Sequence, residues 1–264
     1  MDSETTSDLP SRLGRGPVLC LSGLDPSGSA GLLRDLWALQ RTGHRASGLT
    51  TCLTVQNRRR CASIVGMPPG YLSDALACLV EEGWPSAIKI GLVANEAEWE
   101  DILPWLREAR SQHIPIVVDP IRVPSSGGWT LPPEVRALLL EEILPLGVFW
   151  TPNIPELHWL TGQEDPLDAS HQLLTEGAAG LLVKGGHDES ATVWVEDAWI
   201  EKSGEHRFRR TRLGGPPRRG TGCVLSTLFA QGLAEGRAPR VAARDAGDRL
   251  SRLWTELDPE IPRH

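Results

Sequence analysis

The sequence predicts an α/β fold in which a mainly parallel central sheet carries helices on both faces. Three observations point there. Short apolar runs of strand length alternate with longer stretches whose apolar residues fall at helical spacing. Alternating β and α units are the signature of parallel strands covered on both sides. No internal repeat, low-complexity tract or obvious linker interrupts the alternation over 264 residues, a length that suits one domain better than two.

Taken in order, VLCLSG (18–23) is an apolar run stopped by glycine and reads as a buried strand. AGLLRDLWALQRTG (30–43) follows as a helix closed by glycine. ASGLTTCLTV (46–55) reads as strand, PGYLSDALACLVEEG (69–83) as helix and SAIKIG (86–91) as strand. EAEWEDILPWLREARSQ (96–112) reads as a helix kinked at Pro104, ahead of strand IPIVVD (114–119). A helix around PPEVRALLLEEIL (132–144) precedes strand GVFWT (147–151), and two helical pieces lead to strand AGLLVKGG (179–186). ATVWVE, DAWIEK and HRFRRTRL (191–213) read as short antiparallel strands or a meander, and helices at 221–235 and 238–256 close the chain. The expected organisation is an N-terminal extension over 1–17, one domain over 18–257 and a tail over 258–264.

Hydrophobic residues make up 40% and charged residues 23%, an ordinary globular balance. The formal net charge of −7 argues against a nucleic-acid partner held by bulk basicity. The five cysteines are scattered, with no CxxC pair, so neither a disulfide framework nor a zinc ribbon is suggested. The first residues contain no apolar leader-like run, and no stretch is long enough to span a membrane. The expectation is a cytoplasmic protein with reduced thiols and no membrane partner. Lysine is scarce: Lys89, Lys184 and Lys202 are all there are, which makes each informative.

Open parallel sheets bind ligands beyond the carboxyl ends of their strands. No GxxxxGK[ST] occurs and no GxGxxG follows the first strand, so neither common phosphate loop is available. Gly220-Thr221-Gly222-Cys223 stands instead at the mouth of a helix. Unpaired N–H groups and the helix dipole there, approached closely through glycine, suit an oxyanion. Cys223 would then sit where thiolates are favoured and could take a proton from an attacking hydroxyl. The same tetrapeptide also suits a plain turn with a buried thiol.

Other strand ends add chemistry. VVDP places Asp119, TPNIPE places Asn153 and Glu156, and LLVKGGH places Lys184 at three further edges. Asp, Asn and Glu oxygens suit Mg²⁺, and a lysine point charge suits nucleotide phosphates. Together they are the parts of a phosphoryl-transfer site. Read singly, Asp119 also fits a turn before proline and Glu156 a solvated first-turn acid.

The segments GLDPSGSAGLLRDL, LTVQN, AIKIGLV, VVDP, TPNIPE, VKGGH and RGTGC occur in the order seen in hydroxymethylpyrimidine/phosphomethylpyrimidine kinases, which the chain resembles from about Val18 to about Gly232. The resemblance implies a ribokinase-like fold. It implies ATP- and Mg²⁺-dependent phosphorylation of 4-amino-5-hydroxymethyl-2-methylpyrimidine and then of its monophosphate, in thiamine biosynthesis. It would make Gly220, Thr221 and Gly222 the anion hole and Cys223 the base. Gly23, the Ala30 backbone, Asp35, Gln56 and Leu92 would contact the pyrimidine. Lys184, Asn153 and Arg219 would serve ATP, with Asp119 and Glu156 at the metal. Gln56 makes chemical sense, since an amide offers a donor and an acceptor to an aminopyrimidine edge. A homodimer is implied as well.

The chain departs from the family pattern in places. Ser29 replaces a glycine, Leu33 a glutamine, Arg34 an alanine, Arg122 a methionine and Ser125 a lysine, and Leu92 stands where methionine is common. Arg218 and Arg219 precede the GTGC stretch where the family has a histidine; surface solvation is expected of at least one. Arg58-Arg59-Arg60 reads as a solvated loop. Two alternatives stay open: a pyridoxal-type vitamin kinase of the same fold, and a relative that binds pyrimidine or nucleotide without turnover.

Overall fold

A computed structural model of the chain describes residues 16–123, 127–186, 193–214 and 218–257. The elements are β1 (Val18–Leu24), α1 (Gly31–Arg41), β2 (Ala46–Gln56), β3 (Cys61–Gly66), α2 (Tyr71–Glu81), β4 (Ala87–Ile90), α3 (Glu96–Ser111) and β5 (Ile116–Val118). They continue with α4 (Pro133–Leu138), β6 (Phe149–Trp150), α5 (Ile154–Thr161), α6 (Pro166–Glu176), β7 (Gly180–Val183), β8 (Trp194–Glu201), β9 (Gly204–Thr211), α7 (Thr221–Ala234) and α8 (Pro239–Leu253).

All the strands join one sheet in the order β3-β2-β1-β4-β5-β6-β7-β8-β9. From β2 through β7 every neighbouring pair is parallel. The outer strands pair antiparallel: β3 on β2 at one edge, and β8 on β7 with β9 on β8 at the other. The chain steps from β1 outward to β2, then returns to add β4 on the far side of β1. That reversal opens a crevice past the carboxyl ends of β1 and β4, the place where such sheets bind ligands.

Pleating sends successive strand side chains to opposite faces, and two cores result. Leu19, Leu21, Ile88, Ile90, Ile116 and Val118 meet α2 to α6 on one face. Val18, Cys20, Ala87, Val117 and Leu182 meet α1, α7 and α8 on the other. Helix α7 is buried from Cys223 to Ala234. No helix among the described residues is long and apolar enough to cross a membrane.

Several expectations need correction. CASIVG forms β3, which the sequence reading left without structure; its alternating exposed positions give little apolar signal at an edge. Of the short antiparallel strands or meander expected over 191–213, the described residues form one antiparallel hairpin of two eight-residue strands, with Trp194 to Glu201 a single strand and 191–192 outside the described residues. Helix α3 carries Pro104 inside it, as the sequence led one to expect. The helix expected over 132–144 is regular only to Leu138; a π turn at Leu139–Ile143 and a 3₁₀ turn at Leu144–Leu146 follow.

Candidate active site

Along one edge of the sheet the strand ends converge. Gly23 closes β1, Leu92 follows β4, Asp119 follows β5, Asn153 follows β6 and Lys184 follows β7. The last two are drawn together by an isolated bridge that extends the β6–β7 pairing, with Lys184 N–H donating to the Pro152 carbonyl. The amino end of α7 faces the same edge. A cavity of about 530 Å³ lies between them.

Gly23, Ala30, Gln56 and Leu92 line this cavity. So do Lys184, Asn153, Asp119, Glu156 and Arg219, together with Gly220, Thr221, Gly222 and Cys223. Thirteen of the fourteen site positions read from the sequence therefore surround one space. Asp35 is the exception: it is wholly buried beneath the cavity, bonded to Ser22, Lys89 and Thr227, and the expectation that it touches substrate is corrected.

The first turn of α7 is built by backbone conformation. Gly220 is its N-cap with φ 71°, and no side chain caps the helix. A Cβ at Gly220 would stand 2.4 Å from the Ser29 carbonyl oxygen, so only glycine fits there. The first intrahelical bond runs from Val224 N–H to the Gly220 carbonyl, so the N–H groups ahead of it have no acceptor within the helix. Gly222 in this turn stands beside Lys184, whose Nζ would lie 3.4 Å from a Cβ built there. Gly31, with φ 60°, has the same character: a Cβ there would meet the Gly23 carbonyl oxygen at 2.2 Å. Its N–H donates to the Cys223 sulfur.

Lys184 donates to Asp119 Oδ1 at 2.6 Å and lies 3.5 Å from Glu156 Oε2. Burial works against its charge, but Asp119 and Glu156 outweigh that and hold the ammonium well above the usual lysine range. Burial pushes Glu156 up to about 7, with Lys184 opposing and Asp119 adding to the rise. Glu156 is not the solvated first-turn acid that its position in TPNIPE also allowed. It forms a reciprocal cap with Asn153: Asn153 Oδ1 accepts from Glu156 N–H at 2.8 Å, and Glu156 Oε2 accepts from Asn153 N–H at 2.8 Å.

Cys223 is also corrected in one respect. The helix N-terminus was expected to favour its thiolate, yet burial pushes the thiol up to about 11. Lys89 and the Gly31 N–H pull the other way, while Asp35 and Asp119 add to the rise. Desolvation of a sulfur anion outweighs Lys89 and the Gly31 N–H here.

The arginines fall differently from expectation as well. Arg219 is 1% exposed and donates to the Asn57 carbonyl at 3.1 Å, and Arg218 is half-buried and donates to the Leu257 carbonyl at 2.9 Å. Neither is a solvated surface residue. Arg59 and Arg60 are exposed in the β2–β3 turn, with Arg58 half-buried. Arg122 is exposed between Ile121 and Val123, which line the cavity, and Ser125 lies outside the described residues.

Sequence reasoning missed the apolar lining residues Val195, Leu213, Leu250 and Trp254. Nothing in their spacing distinguishes an apolar residue facing a cavity from one facing the core. It also gave no role to Lys89, which is wholly buried below Cys223.

A parallel sheet with its reversal beside β1, a glycine-opened helix start and a lysine held by two carboxylates define a ribokinase-like small-molecule kinase. The chain belongs to the phosphomethylpyrimidine kinase family, whose model matches residues 25–256. It is 30% identical over 252 residues to a hydroxymethylpyrimidine/phosphomethylpyrimidine kinase of Staphylococcus aureus, covering 93% of this chain and 90% of that one. It is 32% identical over 236 residues to the thiamine biosynthesis bifunctional protein ThiED of Geobacter sulfurreducens, covering 86% of this chain and 47% of the relative. Among solved structures, a phosphomethylpyrimidine kinase from Clostridium difficile superposes with a TM-score of 0.76 at 25% identity, covering 91% of this chain and all of that one. The pyridoxal kinase of Staphylococcus aureus in complex with AMP-PCP and pyridoxal shares the fold, with a TM-score of 0.76 at 21% identity, over 89% of this chain and 86% of that one.

Proposed function

We propose that this protein transfers the γ-phosphoryl group of ATP to the hydroxymethyl oxygen of 4-amino-5-hydroxymethyl-2-methylpyrimidine. In the same proposal it acts less efficiently on the resulting monophosphate, both as steps of thiamine biosynthesis. One observation carries the reading: Cys223, Lys184, Asp119 and Glu156 border the same cavity as Gly23, Ala30, Gln56 and Leu92. Reacting groups and a small-molecule pocket are thus contiguous.

In this mechanism Gln56 and the backbone around Ala30 orient the aminopyrimidine. The N–H groups at the start of α7 face the transferring phosphoryl group, and Lys184 neutralises its charge. The hydroxymethyl oxygen bonds the γ-phosphorus as the bond from phosphorus to the β,γ-bridging oxygen breaks, and ADP leaves. Cys223 Sγ, as thiolate, takes the hydroxyl proton. Burial holds the thiol up, so at pH 7 the thiolate is the minor form, scarce but strongly basic.

The donor set fits magnesium. Asp119 and Glu156 are hard oxygen ligands beside the phosphate-facing lysine. Among the described residues, no group of three or more His, Cys, Asp or Glu could hold a metal alone. That suits an ion carried largely by water and nucleotide phosphates. When bound, it would supply further neutralisation of phosphate charge.

The homodimer implied by the family resemblance belongs to the same proposal and is read by light scattering. A coupled ADP-release assay with the hydroxymethylpyrimidine, its monophosphate and pyridoxal tests the function. Highest kcat/KM on the free hydroxymethylpyrimidine supports it. A higher value on pyridoxal makes the protein a pyridoxal-type kinase, and no ADP from any of them makes it a binding relative without turnover.

A further inference from the structure

Beneath the cavity floor lies a charged pair that the transfer chemistry above does not use. In β4, Ile88 and Ile90 enter one core and Ala87 the other. Pleating turns Lys89 opposite to Ile88 and Ile90, toward α1 and α7. There Lys89 and Asp35 are both wholly buried, and Lys89 Nζ donates to Asp35 Oδ2 at 2.7 Å. Ser22 Oγ accepts from Lys89 at 3.1 Å and donates to Asp35 Oδ2 at 2.6 Å. Thr227 Oγ1 lies 2.8 Å from both Asp35 Oδ1 and the Cys223 carbonyl oxygen. One carboxylate therefore ties β1, β4 and α7 together, a single turn below Cys223.

Burying an ion pair costs several kcal/mol per ion, and apolar residues of similar volume often serve stability as well. The expense has a use if the charge is needed nearby. Charged groups facing Cys223 come from four elements: Lys89 on β4, Asp35 on α1, Asp119 beyond β5 and Lys184 beyond β7. Cys20 on β1 flanks Lys89 from the other side. Lys89 is the cation that acts most strongly on the sulfur. Unlike Lys184, it is bonded to no carboxylate that borders the cavity.

We propose that Lys89 is a positioning residue for Cys223: locked by Asp35 and Ser22, it presents a fixed cation that sustains the thiolate accepting the substrate's proton. Asp35, through Thr227, holds the first turn of α7 in register with that cation. This rests on Cys223 being the base, as proposed above, but its decisive readout needs no substrate.

The experiment follows alkylation of Cys223 by iodoacetamide against pH, resolved from the exposed Cys78 by mass spectrometry of the labelled peptides. Thiolate is the reactive form. Lys89→Met is expected to move the profile upward by about one pH unit, giving roughly tenfold slower labelling at pH 8. It is expected to lower kcat on the hydroxymethyl substrate with KM for ATP little changed, and Lys89→Arg should restore part of both. Should Lys89→Met not fold, Lys89→Gln keeps a donor to Asp35 without the charge. A folded neutral variant with an unmoved alkylation profile overturns the proposal, whatever happens to turnover. A shifted profile together with an active Cys223→Ala enzyme upholds the link between Lys89 and the sulfur and sinks the base assignment instead.

Discussion

Lys184 Nζ stands 2.6 Å from Asp119 Oδ1, both buried, across the end of β6 that separates their strands β7 and β5. Each is the other's substitute partner: the ammonium occupies the carboxylate that suits a cation, and the carboxylate occupies the ammonium that suits a phosphate. Such a site keeps its charges paired before ligands arrive, since an unpaired buried charge is strongly destabilising.

The two sides of that pairing separate experimentally. Lys184→Ala is expected to raise KM for ATP at every magnesium concentration. The loss of a charge-assisted hydrogen bond is worth ~1.5–3 kcal/mol, roughly one to two decades. Glu156→Gln is expected to raise mainly the magnesium requirement. Superimposable magnesium titrations for the two variants would undo the division of roles.

If Glu156 serves the metal as proposed, the magnesium requirement should depend on pH. Its carboxyl is pushed up to about 7, chiefly by burial, so acidification below that point would protonate the proposed ligand. The magnesium concentration for half-maximal rate should rise as pH falls from 8 to 6, and Glu156→Gln should abolish that trend. Stability has its own sign. A raised carboxyl favours the fold when protonated, so the ligand-free protein should lose stability as pH rises from about 4.5 through about 7. Thermal melts of the wild type and Glu156→Gln across that window would show it.

Cys223 should matter unequally for the two acceptors. A hydroxymethyl group must lose a proton, whereas a phosphate monoester, with a second pKa of about 6, has already lost it at neutral pH. Cys223→Ala is expected to cut kcat on the free alcohol by ~10²–10⁴-fold and to spare the monophosphate reaction. With the wild type and saturating magnesium, the rate on the alcohol should climb with pH above 7. Cys223→Asp should flatten that climb while keeping partial activity. Equal losses on both acceptors would remove the base role.

Gly220→Ala should damage the site more than the fold. The new Cβ meets the Ser29 carbonyl, and φ 71° strains any non-glycine residue. A left-handed non-glycine residue costs on the order of 1–3 kcal/mol, so a modest drop in melting temperature is expected. The displaced N–H groups should lower kcat by at least about tenfold, on the scale of a lost oxyanion donor. Unchanged kcat would show that the start of α7 does not touch the phosphoryl group.

Ser125, where the family has lysine, motivates a substitution from the sequence alone. Ser125→Lys should narrow the gap between the free hydroxymethyl compound and its monophosphate. Equal kcat/KM on both acceptors in the wild type, unmoved by the substitution, would mean that Arg122 or the Arg58–Arg60 run already supplies the charge.

Much of this was legible in the chain. Continuous apolar runs such as VLCLSG and IPIVVD have few ways to be buried except in a doubly covered parallel sheet, and glycine, aspartate and lysine at their ends marked the ligand edge. The Gly-Thr-Gly-Cys stretch at the start of α7 also suited a plain turn, and only the company of Asp119, Asn153, Glu156 and Lys184 at strand ends favoured the other reading. Edge strand β3 and the cavity lining at Leu250 and Trp254 were not legible, since partner and orientation, not composition, make a strand or a cavity wall. The family resemblance put Asp35 at the substrate, and the helix start suggested a thiolate at Cys223. Only the tertiary structure took Asp35 under the floor to meet Lys89, and only burial raised the thiol of Cys223. A periodicity reports which way a side chain points along its own element, whereas a charge's solvation depends on every element packed around it.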